Sequence, residues 1–359
     1  MLHRVVLLAC ACALAALAAA CDGSPTDPSR PGDYDVVFLG LPADAESFTP
    51  RAVSGGRVVG TARGGGAAWA VQWAGGAFTR IGPDVPASCE SEALGARVAF
   101  TVGQVTCRGV GDTPTDAYGW AAGVGALPRL FAQPYGFVDV NRTAVIAGTL
   151  YPPAEFPQGA QRAFHVQGTT TGLLLPDGAV RSEAAGVSDS GSVAVTAYYD
   201  CAGRRGCVAS RALVWQGGWA EVPLPGNADG TLAAAMSSAG HVAGYVLGDL
   251  AGVFLYNAPR DDMEELPVVP GTRVQVTGVN ARGQIVGTGT RLSAAPGQQP
   301  SYGIVWGDGH QYSISERINN GAPWQVTAAL ATDDEGNIAG TGFNPETGEE
   351  GAILLVPAP

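Results

Sequence analysis

The feature that most constrains this chain is a repeated sequence unit, clearest at Thr277–Gly287 and the following Gly303–Trp306. Repetition at a fixed period points to a repeat architecture, and it therefore has to be interpreted before any single motif. Six copies of the first half are readable: Ala52–Gly60, Val140–Gly148, Val187–Val195, Met236–Gly244, Val279–Gly287 and Thr332–Gly340. A degenerate copy lies near Ala93–Phe100. The second half recurs at Ala70–Trp73, Ala117–Trp120, Ala163–Val166, Ala212–Trp215, Val253–Tyr256, Gly303–Trp306 and Ala352–Leu355.

Each unit predicts four strands. The first half holds a turn position, occupied by Gly56, Ala144, Gly191, Gly240, Gly283 and Gly336, and three residues earlier stand Val53, Asn141, Ser188, Ser237, Asn280 and Asp333. A polar side chain that closes a turn, followed by glycine in the left-handed conformation, is typical of a hairpin. The small, β-branched run after the turn suits an inner strand. The second half predicts a third strand, and a Gly-Gly or Asp-Gly turn then leads to a fourth.

The spacing of the units predicts the architecture. Seven copies recur at roughly 47 residues, within the range for four-stranded propeller blades. The sequence therefore predicts an all-β, seven-bladed β-propeller of four-stranded antiparallel blades. The last unit supplies only three strands, ending in Gly351–Pro357, whereas an additional strand, Tyr34–Leu41, precedes the first unit. We expect these two ends to pair within one blade, because that removes two exposed sheet edges.

The unit resembles that of the bacterial HAF-repeat proteins, in which a His-Ala-Phe run follows an Ile-Asn-x-x-Gly-x-Val-x-Gly hairpin. The resemblance covers nearly all of the chain after residue 33. The name-giving histidine is absent, and Arg162-Ala163-Phe164 is the nearest match. The resemblance implies a repeat protein of the propeller type and provides no catalytic residues.

The N-terminus predicts export and lipidation. A charged start at Met1–Arg4, an apolar run at Val5–Ala20 and small residues before Cys21 are typical of a secretory signal. Because the segment ends on Cys21, it resembles a lipoprotein signal with Cys21 as the lipidated residue. Cleavage without lipidation is the alternative, and an uncleaved anchor would be short for a span of roughly 20 residues. The predicted divisions are a signal peptide at 1–20, a lipidated cysteine and flexible tether at 21–32, and one propeller domain at 33–359.

Charge and cysteine usage agree with an exported protein. The formal net charge of −12 disfavours nucleic acid as a partner, and the absence of lysine excludes a Walker or Schiff-base lysine. Four cysteines remain after Cys21 in an oxidising compartment. Their spacing favours the disulfides Cys89–Cys107 and Cys201–Cys207. A structural zinc site is the competing hypothesis, although neither pair has the spacing of zinc ligands.

Long segments that join the second and third strands of several units predict one loop-rich face. These segments are Thr106–Asp116, Thr149–Gln161, Thr196–Ser210, Thr288–Tyr302 and Gly342–Glu350. Binding residues concentrate on loops held by a rigid scaffold, so this face is the candidate binding face. Its candidate binding residues are Trp69, Tyr151, Phe156, Tyr198, Tyr199, Tyr302 and Trp324. Such aromatics can stack on sugars or anchor a protein, and the alternative is that they pack beneath their own loops. One position of the predicted third strand holds a tryptophan in four units, which predicts packing between blades. These residues are Trp73, Trp120, Trp215 and Trp306.

Catalytic motifs are missing from the sequence. His165, His241 and His310 belong to different units, and His241 and His310 are expected to face solvent beside hairpin turns. The acidic runs Asp261–Glu265, Asp333–Glu335 and Glu346–Glu350 match no calcium loop, so no metal and no cofactor are predicted.

The first hypothesis is therefore a monomeric, lipid-anchored propeller of the cell envelope that binds a protein or a glycan without catalysis. The membrane leaflet stays open. An alternative is a carbohydrate-active lyase or hydrolase with carboxylates near the central channel, and a third is an envelope spacer.

Overall fold

The computed structural model describes residues 33–108, 114–123, 135–151, 161–168, 170–201, 208–226, 228–248, 252–293, 300–319 and 322–359. These residues form seven antiparallel sheets, each of which is one blade of a β-propeller. The seven-bladed propeller predicted by the repeat is confirmed. Within the described ranges, no helix has the length and hydropathy needed to cross a membrane.

The blades follow one another in chain order. Blade 1 contains β2 (Ser47–Ser54), β3 (Arg57–Gly64), β4 (Ala67–Ala74) and β5 (Ala77–Arg80). Blade 2 contains β6 (Cys89–Arg97), β7 (Phe100–Arg108) and β8 (Pro114–Ala122), and the segment after it lies outside the described residues. Blade 3 contains β9 (Tyr135–Val140), β10 (Ile146–Leu150), β11 (Arg162–Gln167) and β12 (Thr170–Leu174). Blade 4 contains β13 (Arg181–Val187), β14 (Val193–Asp200), β15 (Val208–Trp215) and β16 (Trp219–Glu221).

The remaining blades complete the ring. Blade 5 contains β17 (Gly230–Met236), β18 (His241–Leu247), β19 (Gly252–Asn257) and β20 (Asp262–Leu266). Blade 6 contains β21 (Thr272–Val279), β22 (Ile285–Arg291), β23 (Ser301–Gly307) and β24 (His310–Ser313), followed by a short 3₁₀ helix at Ile314–Arg317. Blade 7 contains β25 (Gln325–Thr332), β26 (Ile338–Phe343), β27 (Glu350–Pro357) and the N-terminal strand β1 (Tyr34–Phe38).

Blade 7 combines the two ends of the described chain. β1 pairs antiparallel with β27, with Tyr34 opposite Pro357 and Phe38 opposite Ile353. The predicted pairing of the termini is therefore confirmed. Strands of blade 7 also contact the first strand of blade 1, so blade 7 and blade 1 are neighbours in the ring.

The turns between the first and second strands lie on one face, which we call the turn face. In five of the repeats the polar residue at this face is buried, and its side chain closes the turn as predicted. Asn280 Oδ1 accepts the backbone N–H groups of Arg282 and Gln284, at 3.0 and 3.1 Å. The equivalent side chains Asn141, Ser188, Ser237 and Asp333 also accept the backbone N–H of the residue four positions later. The turn glycines adopt positive φ, and Ala144 does so at φ 61°.

These turns also join neighbouring blades. Asn141 Nδ2 donates to Ser188 O at 2.8 Å, and Asp189 N donates to Ser238 O at 2.9 Å. Ala281 N donates to Asp334 Oδ1 at 2.9 Å. Between blades 1 and 2, where the repeat is degenerate, Arg57 instead donates to Val98 O at 2.6 Å. The turn face is therefore held by polar contacts that pass from blade to blade.

A β-bulge interrupts the first strand of every blade at the same level. The extra residue of each bulge is Arg51, Leu94, Val138, Ala185, Ala234, Thr277 or Leu330. The repeat glycine of the second strand lies opposite this bulge in six blades: Gly60, Gly103, Gly148, Gly244, Gly287 and Gly340. A Cβ on Gly287 would overlap Gln275 O, and equivalent overlaps exist at the other five glycines. The repeat glycine is thus required by a close backbone approach.

The first strands, and not the runs after the turn, line the propeller axis. The run after the turn is the second strand, an inner strand of the blade as predicted, and it lies one position outside the axis. The core consists of the layers between blades. Trp306, for example, is fully buried in a cluster that joins blades 5 and 6, and its Nε1 donates to Pro267 O at 2.8 Å. Trp120 packs against Val59 and Ala70 of blade 1. The predicted packing of this tryptophan column between blades is confirmed at these positions.

Candidate functional site

The face opposite the turns carries the connections between second and third strands and between consecutive blades. We call it the loop face. Its strands are longer than predicted: β14 and β15 pair as far as Asp200 and Val208, and β22 and β23 pair as far as Thr290 and Ser301. Several predicted loop aromatics therefore lie in strands, namely Trp69, Tyr198, Tyr199 and Tyr302. Their placement on loops is wrong, because the ladder hydrogen bonds continue beyond the repeat motif.

The burial of the seven candidate aromatics is mixed. Tyr151 is exposed, at 38%. Five are half-buried: Trp69, Tyr198, Tyr199, Tyr302 and Trp324. Phe156 lies outside the described residues. The structure distributes the described members over blades 1, 3, 4, 6 and 7, so they do not form one continuous patch.

Disulfide bonds stabilise the loop face. Cys89 and Cys107 are joined as predicted, at the loop-side ends of β6 and β7, where they are direct partners across the ladder. The bond therefore lies within blade 2, and the zinc alternative for this pair is excluded. Cys201 is also disulfide-bonded, and its predicted partner Cys207 lies outside the described residues.

A groove of about 510 Å³ lies on the loop face over blade 1. Its walls come from the connection before β2, the turn between β3 and β4, the end of β5 and the connection to blade 2. The lining includes Pro42, Asp44, Trp69, Phe78, Arg80 and Pro86. We call this the blade-1 groove, and its volume is that of an ordinary ligand site.

The aromatic wall of the blade-1 groove is fixed by packing. Trp69 and Phe78 are half-buried against the core cluster between blades 7 and 1, and Phe78 meets Phe48 edge to face at a centroid distance of 5.1 Å. The guanidinium of Arg80, an exposed residue, lies 5.9 Å from the Trp69 ring centroid. Exposed Asp44, in the left-handed conformation at φ 63°, adds a carboxylate. The groove thus combines rigid aromatic surface with one cationic and one anionic group.

Sequence analysis identified only Trp69 among these groups. Phe78 and Arg80 belong to the fourth strand of the unit, and Asp44 precedes the first copy. None of the three occupies a repeated position. The pairing of β4 with β5, which places Trp73 opposite Phe78 and Val71 opposite Arg80, brings the first two to the groove, and the connection before β2 brings Asp44.

A second aromatic group joins blades 3 and 4. Tyr198 donates to Glu183 Oε2 at 3.2 Å, and Arg181 stacks on the Tyr198 ring at 3.9 Å. Burial, with the nearby Glu183 charge, raises the pKa of Tyr198 to about 12. Burial and the same carboxylate also raise the pKa of Tyr151. Glu183 therefore lies near two tyrosines, and one face of Tyr198 is already covered by Arg181.

The other candidate aromatics have structural contacts. Arg291 covers the Tyr302 ring at 4.5 Å, and the Tyr302 hydroxyl lies 3.1 Å from Thr272 Oγ1. Trp324 packs against Phe38 at 5.4 Å, on the outer strand of blade 7. Tyr302 and Trp324 therefore each pack against residues of their own blade.

A cavity of about 200 Å³ lies on the propeller axis, between the first strands of all seven blades. Asp139 is its only carboxylate among the lining residues that the structure describes. Asp139 Oδ1 accepts Val140 N at 2.8 Å and Oδ2 accepts Val187 N at 3.1 Å. Burial raises the pKa of Asp139, and the nearby Arg97 opposes that shift. Oδ2 thus connects blade 3 to blade 4, and the described lining holds no pair of carboxylates facing each other.

At the turn face, Asp334 joins several blades around the axis. Its Oδ2 accepts Ser238 Oγ at 2.6 Å and lies 3.7 Å from Arg97 Nη1. Its Oδ1 accepts the backbone N–H of Ala281. Since these partners belong to blades 5, 2 and 6, the Asp334 carboxylate connects non-adjacent blades at this end of the axis.

The histidines are dispersed. His310 is exposed, as predicted. His241 is half-buried, so its predicted exposure is wrong: its Nδ1 lies 3.4 Å from Asn280 O of the next blade, and burial lowers its pKa. His165 packs on Trp215 at 4.3 Å, and burial lowers its pKa as well. Among the described residues, no group of three or more His, Cys, Asp or Glu could hold a metal ion.

Comparisons with known proteins support the fold alone. No protein-family model matches the chain, and no curated protein does. The chain is similar to the β-propeller domain of the trilobed protease from Pyrococcus furiosus, with a TM-score of 0.56 and 10% identity over 88% of this chain and 94% of that one. That domain is described as having an open velcro topology, whereas here β1 completes the last blade.

A second similarity is to structures of two prolyl endopeptidases, with a TM-score of 0.50 and 11% identity. It covers 91% of this chain and 51% of theirs, so this chain spans about half the length of those peptidases. At such identity the likeness defines a class of architecture, the β-propeller module, and no activity.

Proposed function

We propose that this protein is a non-enzymatic binding module of the cell envelope whose loop face takes a glycan at the blade-1 groove. The observation that carries the proposal is the groove itself, with Trp69 and Phe78 in its wall and Arg80 and Asp44 at its rim. It is a preformed concave site whose aromatic surface is set by core packing.

The chemistry of the blade-1 groove favours a carbohydrate. The apolar face of a sugar ring stacks on aromatic side chains, and charged groups at the rim hydrogen-bond its hydroxyls. Half-burial restrains the Trp69 ring in advance, which reduces the entropy lost on binding. A protein segment is the other ligand class expected from the sequence, and the experiment below distinguishes the two.

The proposed location follows from the N-terminal sequence. A signal at 1–20, lipidation at Cys21 and a tether at 21–32 would hold the propeller close to a membrane surface. β1 begins at Tyr34, so the tether enters the propeller at its outermost strand in blade 7. Mass spectrometry of the exported protein tests this directly: a diacylglyceryl group is expected on Cys21, and an unmodified Cys21 would contradict the anchor. The resemblance to HAF-repeat proteins is part of the same proposal.

The alternative is a carbohydrate-active lyase or hydrolase acting at the axis. That chemistry uses two carboxylates about 5–10 Å apart in most glycoside hydrolases. Asp139 is the one carboxylate among the described axial lining residues, and its oxygens accept backbone N–H groups. This arrangement favours binding over catalysis.

The test is a glycan array probed with the purified, oxidised protein, followed by calorimetry on the glycans retained. Trp69→Ala is expected to weaken binding about tenfold or more, because stacking on an aromatic ring contributes about 1–2 kcal/mol. Trp219→Ala is the matched control, since Trp219 is 37% exposed on β16 of blade 4, away from the groove.

Three outcomes would change the proposal. Retention of no glycan, combined with capture of a defined envelope protein in a Trp69-dependent manner, would assign the groove to a protein ligand. An equal loss of glycan binding in Trp69→Ala and Trp219→Ala would show that the blade-1 groove is not the binding site. Conversion of a retained glycan during incubation would establish the enzymatic alternative.

A further inference from the structure

The axis of the propeller carries an arrangement of arginines that the proposed function does not use. Every first strand contributes to the axial cavity, and the bulge in each of these strands lies at the same level. A bulge leaves its extra residue unpaired in the ladder and re-aims its side chain. In blade 1 that extra residue is Arg51, which lines the cavity. Because Arg51 is exposed, the cavity is in contact with solvent.

The two arginines of the cavity have unused hydrogen-bonding capacity. Arg51 makes no hydrogen bond or ion pair with the described residues. Arg97 is 13% exposed, and its Nε is buried without a hydrogen-bond partner in the described part of the chain. Its one ion pair joins Nη1 to Asp334 at 3.7 Å. A guanidinium that is largely buried and only weakly paired is costly, so an anion bound near it would be favourable.

The neighbouring carboxylate does not fill this role. Asp139 lines the same cavity, yet its oxygens accept the backbone N–H groups of Val140 and Val187. Arg97 lowers the pKa of Asp139 through its charge only. The donors of exposed Arg51 therefore remain available for an acceptor from outside, and Arg97, whose Nε is buried, contributes positive charge to the same wall.

The rest of the wall is small and largely apolar. It includes Ala185, Ala234, Ala235, Met236 and Val279. The volume of about 200 Å³ corresponds to about six or seven water molecules, at roughly 30 Å³ each. This space suits an ion with a short aliphatic part and excludes a nucleotide or an oligosaccharide.

We propose that the axial cavity binds a short-chain organic carboxylate, whose carboxylate group bonds Arg51 and is also attracted by the charge of Arg97, and whose aliphatic part lies against the alanines. Arginine matches a carboxylate with parallel N–H donors, and such charge-assisted bonds are strong. A carboxylate with an aliphatic part fits better than phosphate because the alanines offer an apolar surface. This site is separate from the blade-1 groove and does not rest on the function proposed for it.

The experiment measures binding of acetate, propionate and succinate to the purified protein, by calorimetry and by ligand-observed NMR at constant chloride. Inorganic phosphate is the comparison anion. Saturable binding of at least one carboxylate at one site per chain is expected, together with weaker binding of phosphate. Arg51→Gln is expected to weaken that binding about tenfold or more. Arg162→Gln, an exposed arginine of blade 3, is the matched control and should bind as the unaltered protein does.

The outcomes separate a built site from general charge effects. Because Arg51 is exposed and unpaired, Arg51→Gln should fold normally, and its thermal unfolding without ligand checks this. Equal weakening in Arg51→Gln and Arg162→Gln would indicate nonspecific attraction and overturn the site. Absence of saturable binding by all three carboxylates would overturn it too, and preferential phosphate binding would overturn the ligand class. Loss of glycan binding in Trp69→Ala bears on the groove alone.

Discussion

The turn face and the loop face of this propeller differ in how they use sequence. At the turn face, the same polar residue and the same glycine recur in blade after blade, and each closes a turn that contacts the next blade. At the loop face, the residues of corresponding connections share no pattern, and a disulfide links strands within blade 2. The difference indicates that the residues repeated from unit to unit are those that make contacts between neighbouring blades. A ligand site is expected where the repeat is lost, which is the position of the blade-1 groove.

The largest contrast is expected between two tryptophans. Trp306→Ala should lower the free energy of unfolding by about 4 kcal/mol, because it empties a fully buried position and leaves Pro267 O without its donor. Trp69→Ala should cost only about 1 kcal/mol, because the half-buried ring faces the groove. Urea denaturation followed by circular dichroism measures both. Equal losses would mean that Trp69 is a core residue and would weaken its assignment to a binding face.

A glycine pair tests the close approach beneath the turn face. Gly287→Ala should destabilise the protein by about 3 kcal/mol, because the new methyl group would overlap Gln275 O and force the strands apart at the bulge. Gly218 lies in the turn between β15 and β16, where an added Cβ meets nothing. Gly218→Ala should therefore change stability by less than about 0.5 kcal/mol. An unchanged urea midpoint for Gly287→Ala would contradict this, because it would show that the strands at the bulge can move apart at little cost in free energy.

The loop face should depend on its covalent link. Removing the bond with the double variant Cys89→Ala and Cys107→Ala should cost about 3 kcal/mol, on the chain-entropy estimate for a separation of 18 residues. Thermal unfolding of the double variant, compared with the unaltered protein in oxidising buffer, gives the value. A change within error would show that the ladder between β6 and β7 holds this end of blade 2 without help.

Two buried asparagines allow the faces to be compared directly. Asn280 at the turn face and Asn344 at the loop face each accept two backbone N–H groups through Oδ1. Asn280→Ala should cost about 2 kcal/mol, because it removes the buried Oδ1 that accepts the backbone N–H groups of Arg282 and Gln284. Asn344→Ala should cost less than about 1 kcal/mol, since water reaches the exposed residues that follow it. The urea midpoints of the two variants decide the order, and a reversed order would contradict the view that the turn face carries more of the stability.

The sequence predicted the parts of the molecule that repeat. Turn chemistry at Asn280 and Gly283 follows from local rules, because it depends on a residue type at a fixed offset. The pairing of Tyr34–Phe38 with the last strand follows from the strand count, because the last unit is one strand short and the N-terminal strand is additional. The sequence did not show that the first strand of each blade lines the axis. The bulge at Thr277, which marks this strand, is visible only once β21 and β22 are in register.

The candidate site was predicted only in part, for a physical reason. Trp69 was identified as an aromatic of the second half-unit, whereas Arg80 reaches the groove through pairing of β4 with β5. The arginines of the axis, Arg51 and Arg97, come from different blades and line one cavity only when the ring is closed. Contacts between residues far apart in the chain leave no periodic signal, so spacing alone could not reveal them.

The smallest effect is expected from making the turn face more regular. Asp333 occupies the position that Asn141 and Asn280 hold elsewhere, and burial raises the pKa of its carboxyl, opposed in part by hydrogen bonds from Asn337 and Gly56. A raised folded-state pKa contributes stability that is complete below the unfolded pKa of about 3.9 and is lost as pH rises through the folded pKa.

Asp333→Asn keeps the Oδ1 acceptor and removes this pH-dependent loss, and the amide of Asn337 can turn over to accept from the new side chain. The stability of the variant relative to the unaltered protein should therefore rise between about pH 4 and pH 8, by about 1 kcal/mol or less. Urea midpoints measured across that range test the sign. A difference that stays constant with pH would show that Asp333 titrates equally in the folded and unfolded chains, and an advantage at low pH would mean that its carboxylate is stabilised by the turn.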